Sequence, residues 1–288
     1  MPELPEVEVV KRSLKKKILK LIIKKVKIND GNLRFKLNKE KISRLKGKKF
    51  IRISRRSKFL VFKIDRDLIM LVHLGMTGKF FFIDKSKKEY KTSFYYNLEN
   101  KDRIHDRVIF LLQNKQKLIY NDVRKFGFIK FYETENLNKI DHLKNLGPEP
   151  LFKKFNFKYF KKYIYSRNRT IKNILMDQKC VSGLGNIYVN EILFMSNIRP
   201  SKKVKLLKNY EIERIVKKTK KILKNSIKKG GSSIKGFSSD DGKKGEFQQS
   251  FKVYGRKGEK CSNSDCNSNI IRTTLSNRAT FFCKSCQK

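Results

Sequence analysis

The sequence has no long hydrophobic run, and its first residues do not resemble a secretory signal. No segment approaches the roughly 18 apolar residues that a membrane-spanning helix requires, so a transmembrane protein is not expected. The chain opens with prolines and acidic residues, whereas a signal peptide opens with a basic segment that an apolar segment follows. We therefore expect an intracellular protein.

Acidic residues are scarce: 26 Asp and Glu stand against 71 Lys and Arg, which gives a net charge of +45. This excess is larger than solubility requires, and it suits a polyanionic partner. The charge alone does not distinguish a ribosomal protein, a tRNA enzyme or a membrane-surface protein. Lysine runs such as residues 15–17, beside abundant Ile and Asn, also indicate an AT-rich genome, so part of the excess is assigned to compositional drift.

Cysteine is also scarce, and its five residues are unevenly placed. Cys180 stands alone, whereas four cysteines lie near the C-terminus: Cys261, Cys266, Cys283 and Cys286. A late cluster in an intracellular protein favours metal binding over disulfide bonds. Two residues separate the last pair, as in a metal-binding knuckle, and four separate the first pair. This spacing predicts a two-stranded zinc ribbon with one structural Zn²⁺, and a redox pair is the alternative.

The first half of the chain combines one helix with short strands. Residues 5–20 predict a helix that begins at Pro5. Three apolar residues share one of its faces: Val7, Val10 and Leu14. Short β-type runs punctuated by Gly, Asn and Asp follow, over 58–64, 68–73, 79–83, 107–112, 117–121 and 128–132. This pattern predicts a β-sandwich with a helix at one edge.

The second half predicts helices and a small terminal module. The segment Gly147 to Pro150 interrupts the strand pattern and marks a domain boundary. Helices are predicted over 155–165, 169–177, 186–195 and 210–228, and the Gly- and Ser-rich residues 230–250 predict a mobile loop. The expected fold class is α+β with several domains: a β-sandwich domain over 1–138, a linker over 139–150, a helical domain over 151–229, the loop over 230–250 and the cysteine module over 251–288.

Two short motifs can carry chemistry. If Met1 is removed, Pro2 presents a secondary amine, and an α-amino group with a pKa of about 7.7–8.0 is partly neutral at physiological pH. Attack on a sugar anomeric carbon would give an iminium ion, with Glu3 beside it as a candidate acid or base. Taken alone, these residues can also simply start a helix.

Gly183 and Gly185 precede a predicted helix whose N-terminus can attract phosphate, which is a weak signal by itself.

Six separated segments resemble the bacterial formamidopyrimidine-DNA glycosylase family over essentially the whole chain. In order they are Pro2 to Glu8, Leu74 to Gly78, Asn121 to Gly127, Leu146 to Pro150, Gly183 to Glu191 and Arg278 to Phe281. The resemblance implies that residues 151–229 form a helix-two-turn-helix DNA-binding domain between the β-sandwich and the zinc ribbon. It also implies a cytoplasmic, nucleoid-associated bacterial monomer that acts on duplex DNA containing oxidised purines.

The resemblance implies a bifunctional DNA glycosylase and AP lyase of base excision repair, acting through a Schiff base on Pro2. Glu3 matches the proton donor in base release, and Glu6 matches an acidic residue that helps to organise the site. Lys58 matches the lysine assigned to β-elimination and phosphate contact. Arg278 matches the arginine associated with δ-elimination and phosphate binding.

The same resemblance assigns DNA-binding residues. A base inside a duplex must be extruded before it is excised. Three residues match those that fill the resulting void: Met76, Arg124 and Phe126. Phosphate contacts are assigned to His105, Arg124, Arg167, Lys172 and Asn186. Without the resemblance, Met76 and Phe126 would be interpreted as core residues, and His105 as an ordinary histidine. The loop over 230–250 matches the segment that closes over the extruded base.

One departure and two alternatives stand beside this interpretation. The family's first cysteine pair usually encloses two residues; here it encloses four, Ser262 to Asp265, and this insertion can distort the ribbon tip. A sister family of endonuclease VIII type prefers oxidised pyrimidines; Leu4, the void-filling residues and the long loop favour the purine enzyme. A non-catalytic zinc-ribbon protein that binds nucleic acid would need neither Pro2 nor Glu3, and the presence of Lys58 also argues against it.

Overall fold

The computed structural model describes residues 1–65, 68–93, 102–133, 137–232 and 250–288. Most of the expected mobile loop, residues 233–249, lies outside the described residues. Internal contacts divide the described chain into two compact units. The first unit comprises residues 1–144 with 230–232, and the second unit comprises residues 145–229 with 250–288.

The first unit consists of two antiparallel sheets and short helices. Its strands are β1 (Ile23–Ile28), β2 (Phe50–Arg56), β3 (Phe59–Ile64), β4 (Leu68–His73), β5 (Lys79–Ile83), β6 (Glu89–Lys91), β7 (Asp106–Leu112), β8 (Lys117–Asn121) and β9 (Phe128–Glu133). One sheet has the order β1-β7-β8-β5-β6, and the other has the order β2-β3-β4-β9. The helices are α1 (Leu4–Ile18), α2 (Lys39–Ser43) and α3 (Asp141–Lys144).

The two sheets and α1 share one hydrophobic core. The ring centroids of Phe50 and Phe110, one from each sheet, lie 6.3 Å apart, and those of Phe62 and Phe80 lie 5.9 Å apart. The three residues predicted to share a face of α1 are all buried in this core: Val7, Val10 and Leu14. The predicted β-sandwich with its N-terminal helix is therefore confirmed.

All six predicted strands are present, and three further strands were not predicted individually: β1, β2 and β6. Each of the three lies at the edge of its sheet. In β1 the side chains of Lys24, Lys25 and Lys27 are exposed. Charged residues on edge strands discourage pairing with other chains. They also dilute the alternation of apolar and polar residues by which a strand is recognised.

The second unit contains four helices and a hairpin among its described residues. The helices are α4 (Phe157–Ile164), α5 (Ile171–Met176), α6 (Asn186–Met195) and α7 (Asn209–Lys228). The predicted bounds of α6 are confirmed, and those of the other three are within two residues. The side chains of Asn156 and Thr170 cap α4 and α5. Because a cap satisfies backbone N–H groups that the first turn leaves free, each helix begins directly after its cap.

The C-terminal hairpin pairs β10 (Ile270–Leu275) with β11 (Arg278–Cys283). Its turn residues Ser276 and Asn277 have φ values of 51° and 56°. Two successive positive φ values are typical of the type I′ turn, which matches the twist of paired strands. The hairpin packs its apolar side chains against Phe194 of α6. Among the helices of the described residues, none is both long and apolar enough to cross a membrane.

Candidate active site

The start of α1 brings two carboxylates close to the chain's amine. Pro2, Glu3 and Glu6 are all buried. The backbone N–H of Glu3 donates to Oε2 of Glu6 at 2.9 Å. Pro5 occupies the first turn, where its missing N–H removes no helical hydrogen bond. The sequence therefore begins a helix here and also places two acidic side chains beside Pro2.

The α-amine of Met1 lies within this cluster. Burial lowers the pKa of this amine; the carboxylates of Glu3 and Glu6 oppose the shift, and the charges of Lys58 and Arg124 add to it. A lower pKa enlarges the neutral and nucleophilic fraction of an amine near neutral pH. Met1 is 45% exposed, whereas Pro2 behind it is buried. An amine on Pro2 would thus be more buried than that of Met1, within the same cluster of acidic and basic groups.

Glu6 also contacts residues that are distant in sequence. Its Oε1 accepts hydrogen bonds from both the backbone N–H and the side-chain hydroxyl of Ser232, each at 2.8 Å. Gly231 has a φ of +86°, and a Cβ at this position would lie 3.2 Å from Oε1 of Glu6. Glycine fits because the backbone approaches Glu6 closely in a conformation that other residues avoid. One carboxylate therefore joins the N-terminus to the chain just before the 233–249 segment.

Lys58 lies in the tight turn between β2 and β3 and is 7% exposed. The preceding residue, Ser57, has a φ of 55°. The guanidinium of Arg55 donates to the carbonyl oxygen of Ser57 at 2.7 Å and to the Glu8 carboxylate of α1 at 3.0 Å. These bonds hold the turn against α1, and they place the Lys58 charge where it acts on the terminal amine.

The three residues matched to void filling lie in two loops of the first unit. Met76 lies in the loop between β4 and β5, and Arg124 and Phe126 lie in the loop between β8 and β9. Met76 is 40% exposed and Phe126 is 47% exposed. The Arg124 guanidinium lies over the Phe126 ring, 4.5 Å from its centroid. The structure therefore contradicts the core interpretation of Met76 and Phe126 that their residue types alone would suggest. Exposed apolar side chains beside a cation fit a surface that inserts into stacked bases.

Asp122 holds these two loops together and was not predicted as a site residue. It is fully buried, and its carboxylate accepts from the Thr77 hydroxyl at 2.5 Å and from the Gly127 N–H at 2.8 Å. Thr77 in turn accepts from the Arg124 N–H at 3.1 Å. A Cβ on Gly75 would lie 2.4 Å from the Gly127 nitrogen, so the loops touch through glycine. The only available sequence signal was its place in the 121–127 motif.

His73, at the end of β4, is hydrogen-bonded to the loop that carries Met76. Its Nδ1 accepts a hydrogen bond from the Gly75 N–H at 3.1 Å. Burial, together with the positive charges of Lys58 and Arg34, lowers the pKa of His73 to about 4. The ring is thus neutral near pH 7, as an acceptor at Nδ1 must be. Sequence reasoning missed this residue because a lone histidine in a strand carries no distinctive pattern.

His105 ends a 3₁₀ turn, Arg103–His105, that leads into β7. Asp102 caps this turn by accepting from the Ile104 N–H at 2.9 Å. The His105 side chain is 29% exposed, and its Nε2 lies 3.8 Å from a carboxylate oxygen of Asp102. Its other ring nitrogen contacts Arg107, a second residue that sequence reasoning missed. Nε2 of His105 is therefore beyond hydrogen-bonding distance of Asp102, whereas Nδ1 contacts Arg107.

In the second unit, Lys172, Asn186 and Arg278 meet around the start of β11. The Lys172 ammonium donates to the Thr280 hydroxyl at 2.7 Å and to the Ala279 carbonyl at 3.0 Å, and the Asn186 amide donates to the same carbonyl at 2.9 Å. Lys172 is 1% exposed, whereas Arg278 is exposed. Burial, together with the Arg278 charge, lowers the pKa of Lys172 to about 8. Lys172 thus supports the strand that presents Arg278.

Arg167 does not join this group. Its guanidinium donates to the Tyr163 carbonyl of α4 and lies 3.8 Å from the centroid of the Tyr163 ring. The side chain therefore packs back on the C-terminal end of α4, which precedes it in the chain. Its assignment to a DNA phosphate stays a prediction.

Glu191 of α6 is a buried residue whose function the sequence did not reveal. Its carboxylate accepts backbone N–H bonds from Lys252, Val253 and Tyr254, at 2.8, 3.0 and 2.9 Å. Burial raises the pKa of Glu191 despite these three bonds, which favour the ionised form. Glu191 thereby anchors the chain that leads into the cysteine module.

The four C-terminal cysteines form one cluster, with all four sulfur atoms within 4.8 Å of one another. The Sγ atoms of Cys261 and Cys286 lie 3.8 Å apart, and those of Cys266 and Cys283 lie 3.6 Å apart. A tetrahedral zinc ion with Zn–S bonds of about 2.3 Å requires sulfur separations of about 3.8 Å. The cluster can therefore bind a metal ion, and its geometry suits tetrahedral coordination.

The insertion in the first cysteine pair leaves this convergence intact. The Cys266 N–H donates to the Asn263 carbonyl at 3.1 Å, and this bond closes a turn over residues 263–266. The Asn263 side-chain amide donates to Sγ of Cys286 at 3.1 Å. The two additional residues are thus taken up in a surface turn that also contacts a sulfur atom.

Comparison with known proteins gives two matching family models. The formamidopyrimidine-DNA glycosylase N-terminal domain matches residues 1–129, and the H2TH domain of the same enzymes matches residues 146–238. The chain belongs to the formamidopyrimidine-DNA glycosylase family. It is accordingly a DNA glycosylase of base excision repair. The resemblance recognised in the sequence is confirmed.

Full-length relatives agree with this assignment. The formamidopyrimidine-DNA glycosylases of Rickettsia bellii and Rickettsia felis are 41% and 40% identical, and the alignments cover 100% of this chain and 100% and 98% of theirs. A Lactococcus lactis Fpg solved with DNA containing an abasic site is 34% identical, with a TM-score of 0.84 and 99% coverage of both chains. A mutant of that enzyme, solved with DNA containing Fapy-dG, has a TM-score of 0.85 and 100% coverage.

Proposed function

We propose that this chain removes oxidised purines, 8-oxoguanine and formamidopyrimidines, from duplex DNA and then nicks the strand by β,δ-elimination. The amine of Pro2 is the nucleophile. The main support is that Pro2 and Glu3 are buried at the start of α1, where Glu3 is bonded to Glu6 and where burial and the Lys58 charge lower the pKa of the adjacent Met1 amine. The relatives' name, formamidopyrimidine-DNA glycosylase, supports purine substrates over the oxidised pyrimidines of the sister family.

The chemistry uses the residues around that amine. Its lone pair attacks C1′ of the extruded nucleotide, the bond from C1′ to the base breaks, and the departing base takes a proton that Glu3 supplies. The amine then passes its proton to O4′ as the C1′–O4′ bond opens, which leaves an iminium ion at C1′. This ion acidifies the C2′ protons, and Lys58 takes part in removing one of them as the 3′ phosphate leaves. Arg278 assists loss of the 5′ phosphate in the second elimination. Glu6 keeps Glu3 and the helix start in place.

Extrusion of the base leaves a void, which Met76, Arg124 and Phe126 fill. Their exposure supports this role, because a side chain that must enter a duplex cannot be buried in the free protein. His105, Arg167, Lys172 and Asn186 are proposed to contact or position DNA phosphates. Lys172 and Arg167 donate to protein acceptors here, so their roles are either indirect or require side-chain movement.

The cysteine cluster is proposed to hold one structural Zn²⁺ through Cys261, Cys266, Cys283 and Cys286. The metal would stabilise the hairpin that presents Arg278, because such a small module has little core of its own.

We also propose the domain division at residues 138, 150, 229 and 250, a base-capping function for residues 230–250, a monomeric state and a cytoplasmic location.

The experiment is borohydride trapping on duplex DNA with 8-oxoguanine opposite cytosine, after mass spectrometry has established removal of Met1. We expect a covalent protein–DNA adduct, strongly reduced in Pro2→Gly and retained in Pro5→Ala, which alters the same helix start without changing the amine. A parallel duplex with an oxidised pyrimidine should trap much less. No adduct, or equal trapping by Pro2→Gly, would refute the Schiff-base mechanism. Preference for the pyrimidine would refute the substrate assignment.

A further inference from the structure

The Arg107 side chain joins two parts of the proposed DNA-contact surface. It lies near the start of β7 and is 7% exposed. Its Nη2 contacts Nδ1 of His105 at 3.1 Å, and its Nε donates to the Asp122 carbonyl oxygen at 2.9 Å. Its Nη1 donates to the Asp30 carboxylate at 3.0 Å, which compensates its charge. Nothing in the motifs of the sequence singled this residue out.

The contact with His105 has only one chemically allowed direction. A guanidinium has five N–H donors and no acceptor, and it stays protonated in proteins. Nδ1 of His105 must therefore be the acceptor, and it carries no proton. The imidazole hydrogen is then on Nε2, the nitrogen on the other side of the ring. Hydrogen positions are usually assigned from such networks, and here the identity of the donor decides the assignment.

This tautomer suits a phosphate contact. The His105 side chain is 29% exposed, and the nearest acidic oxygen, on Asp102, is 3.8 Å from Nε2, beyond hydrogen-bonding distance. The Nε2–H is therefore available to an external acceptor. A phosphate oxygen accepts but cannot donate, so the opposite tautomer, with a bare Nε2, would lose the bond and face the anion with a lone pair.

The same guanidinium holds the neighbouring loop. Besides the Asp122 carbonyl, it reaches the Val123 carbonyl at 3.5 Å, and the Asp122 N–H donates to the His105 carbonyl at 3.0 Å. Arg124 and Phe126 follow directly in this loop. Arg107 is thus bonded both to the ring proposed to contact a phosphate and to the backbone that carries two void-filling residues.

We propose that Arg107 is a positioning residue that couples phosphate contact to void filling. It holds His105 in the Nε2–H tautomer, and it fixes the position of loop 122–126 relative to the Nε2–H donor. The coupling rests on the proposed function, whereas the tautomer follows from the contact itself. Displacement of either partner of Arg107 would disturb the other, so binding at His105 and insertion of Phe126 act together.

The first test is NMR spectroscopy of the unmodified protein with ¹⁵N-labelled histidine, which is feasible because the chain has only three histidines. We expect Nδ1 of His105 to show the shift of an unprotonated nitrogen and Nε2 that of a protonated one. Arg107→Met should populate both tautomers, and Arg107→Lys, which keeps a donor without an acceptor, should restore one. A protonated Nδ1 in the unmodified protein would overturn the proposal, and this result does not depend on any variant or on catalysis.

The second test measures affinity for a duplex containing a tetrahydrofuran abasic analogue. Arg107→Met should weaken binding by about five- to ten-fold, the loss expected for a hydrogen bond and its orientation. Combined with His105→Ala, the loss should be clearly smaller than the product of the two single losses. Arg103→Met, which removes an exposed charge from the same turn, should leave the tautomer unchanged. Independent losses from Arg107→Met and His105→Ala would refute the coupling.

The two tests separate this inference from the proposed function. If borohydride trapping fails but His105 has the expected tautomer and the binding losses are non-additive, the Arg107 role stands and the chemistry is wrong. If trapping succeeds but Nδ1 carries the proton, the chemistry stands and the Arg107 role is wrong.

Discussion

Glu6 accepts two hydrogen bonds from Ser232 through one oxygen, at 2.8 Å each, across 226 positions of sequence. Its other oxygen accepts from the Glu3 N–H at 2.9 Å. The residue that organises the start of α1 therefore also fixes the chain where it enters the segment 233–249. This link makes the geometry at the proposed nucleophile dependent on the beginning of the proposed base-capping loop.

Ser232→Ala is expected to slow base excision while changing cleavage of a preformed abasic site less. The variant removes one of the two bonds to Glu6, worth about 1 kcal/mol. It removes a bond at the start of the proposed base-capping loop, which would be needed only while a base is present. Single-turnover rates on 8-oxoguanine and abasic-site duplexes measure the two steps. Ser250→Ala, at the other end of the segment, should change neither rate, and equal slowing of both steps by Ser232→Ala would contradict the expectation.

Phe126→Ala is expected to weaken binding to lesion-containing DNA without weakening the fold. Phe126 is 47% exposed, so its removal should change the free energy of unfolding by less than about 0.5 kcal/mol. Loss of a side chain that stacks on bases should cost about 1–3 kcal/mol of binding free energy.

Phe128→Ala provides the matched contrast, because Phe128 is 4% exposed and packs in an aromatic cluster. Its removal should destabilise the fold by about 3–5 kcal/mol. Urea denaturation and fluorescence anisotropy measure the two quantities. A large loss of stability in Phe126→Ala would show that the residue is a core residue after all.

The stability of the protein should fall as the pH is lowered from about 6.5 to about 4, in part because of His73. The folded state keeps His73 neutral down to its pKa of about 4, whereas an unfolded histidine takes up a proton near pH 6.5. In this window the unfolded state binds more protons, so unfolding becomes easier by up to about 3 kcal/mol.

His73→Gln should flatten this part of the pH profile, because Gln retains an acceptor for the Gly75 N–H but does not titrate. Urea denaturation at several pH values between 7 and 4 measures the difference between the two proteins. Parallel profiles for the unmodified protein and His73→Gln would mean that His73 is not held neutral by its surroundings.

Cys283→Ser is expected to abolish stoichiometric zinc binding and to weaken DNA binding before it alters chemistry. Cys283 is fully buried within the hairpin core, so loss of one ligand should loosen the strand that begins at Arg278. Metal analysis, DNA affinity and trapping at saturating DNA separate these effects. Ser264→Ala, in the exposed insertion, is the control; normal DNA affinity in Cys283→Ser would exclude the ribbon as a binding element.

Local patterns predicted much of the fold. Six strands and four helices were located from alternation, helical spacing and capping residues, because these signals act over a few neighbouring residues. The edge strands β1, β2 and β6 were not predicted individually: in β1 three exposed lysines interrupt the alternation, and β6 has only three residues. The catalytic residues could be proposed only from family motifs, because Pro2, Glu3 and Lys58 have no pattern that indicates chemistry on its own.

Sequence reasoning could not identify the residues that hold the site's loops in place. Asp122 and Arg107 act through hydrogen bonds to Thr77 and to the Asp122 carbonyl, which only the folded chain brings near. His73 bonds to Gly75 two residues further on, but its burial and the nearby charges of Lys58 and Arg34 depend on the fold. Exposure of Met76 and Phe126 likewise depends on tertiary packing, which brings their two loops into contact at Gly75 and Gly127.

The sequence by itself determined the charge, the order of motifs, the cysteine set and the main helices and strands, because each depends on residue type or on neighbours within a few positions. Tertiary structure alone decided which groups meet. It placed Ser232 on Glu6, brought four sulfur atoms within 4.8 Å, and brought Arg107 to Nδ1 of His105. Such contacts depend on how distant segments pack, and the direction of a hydrogen bond is defined only when both partners are in place.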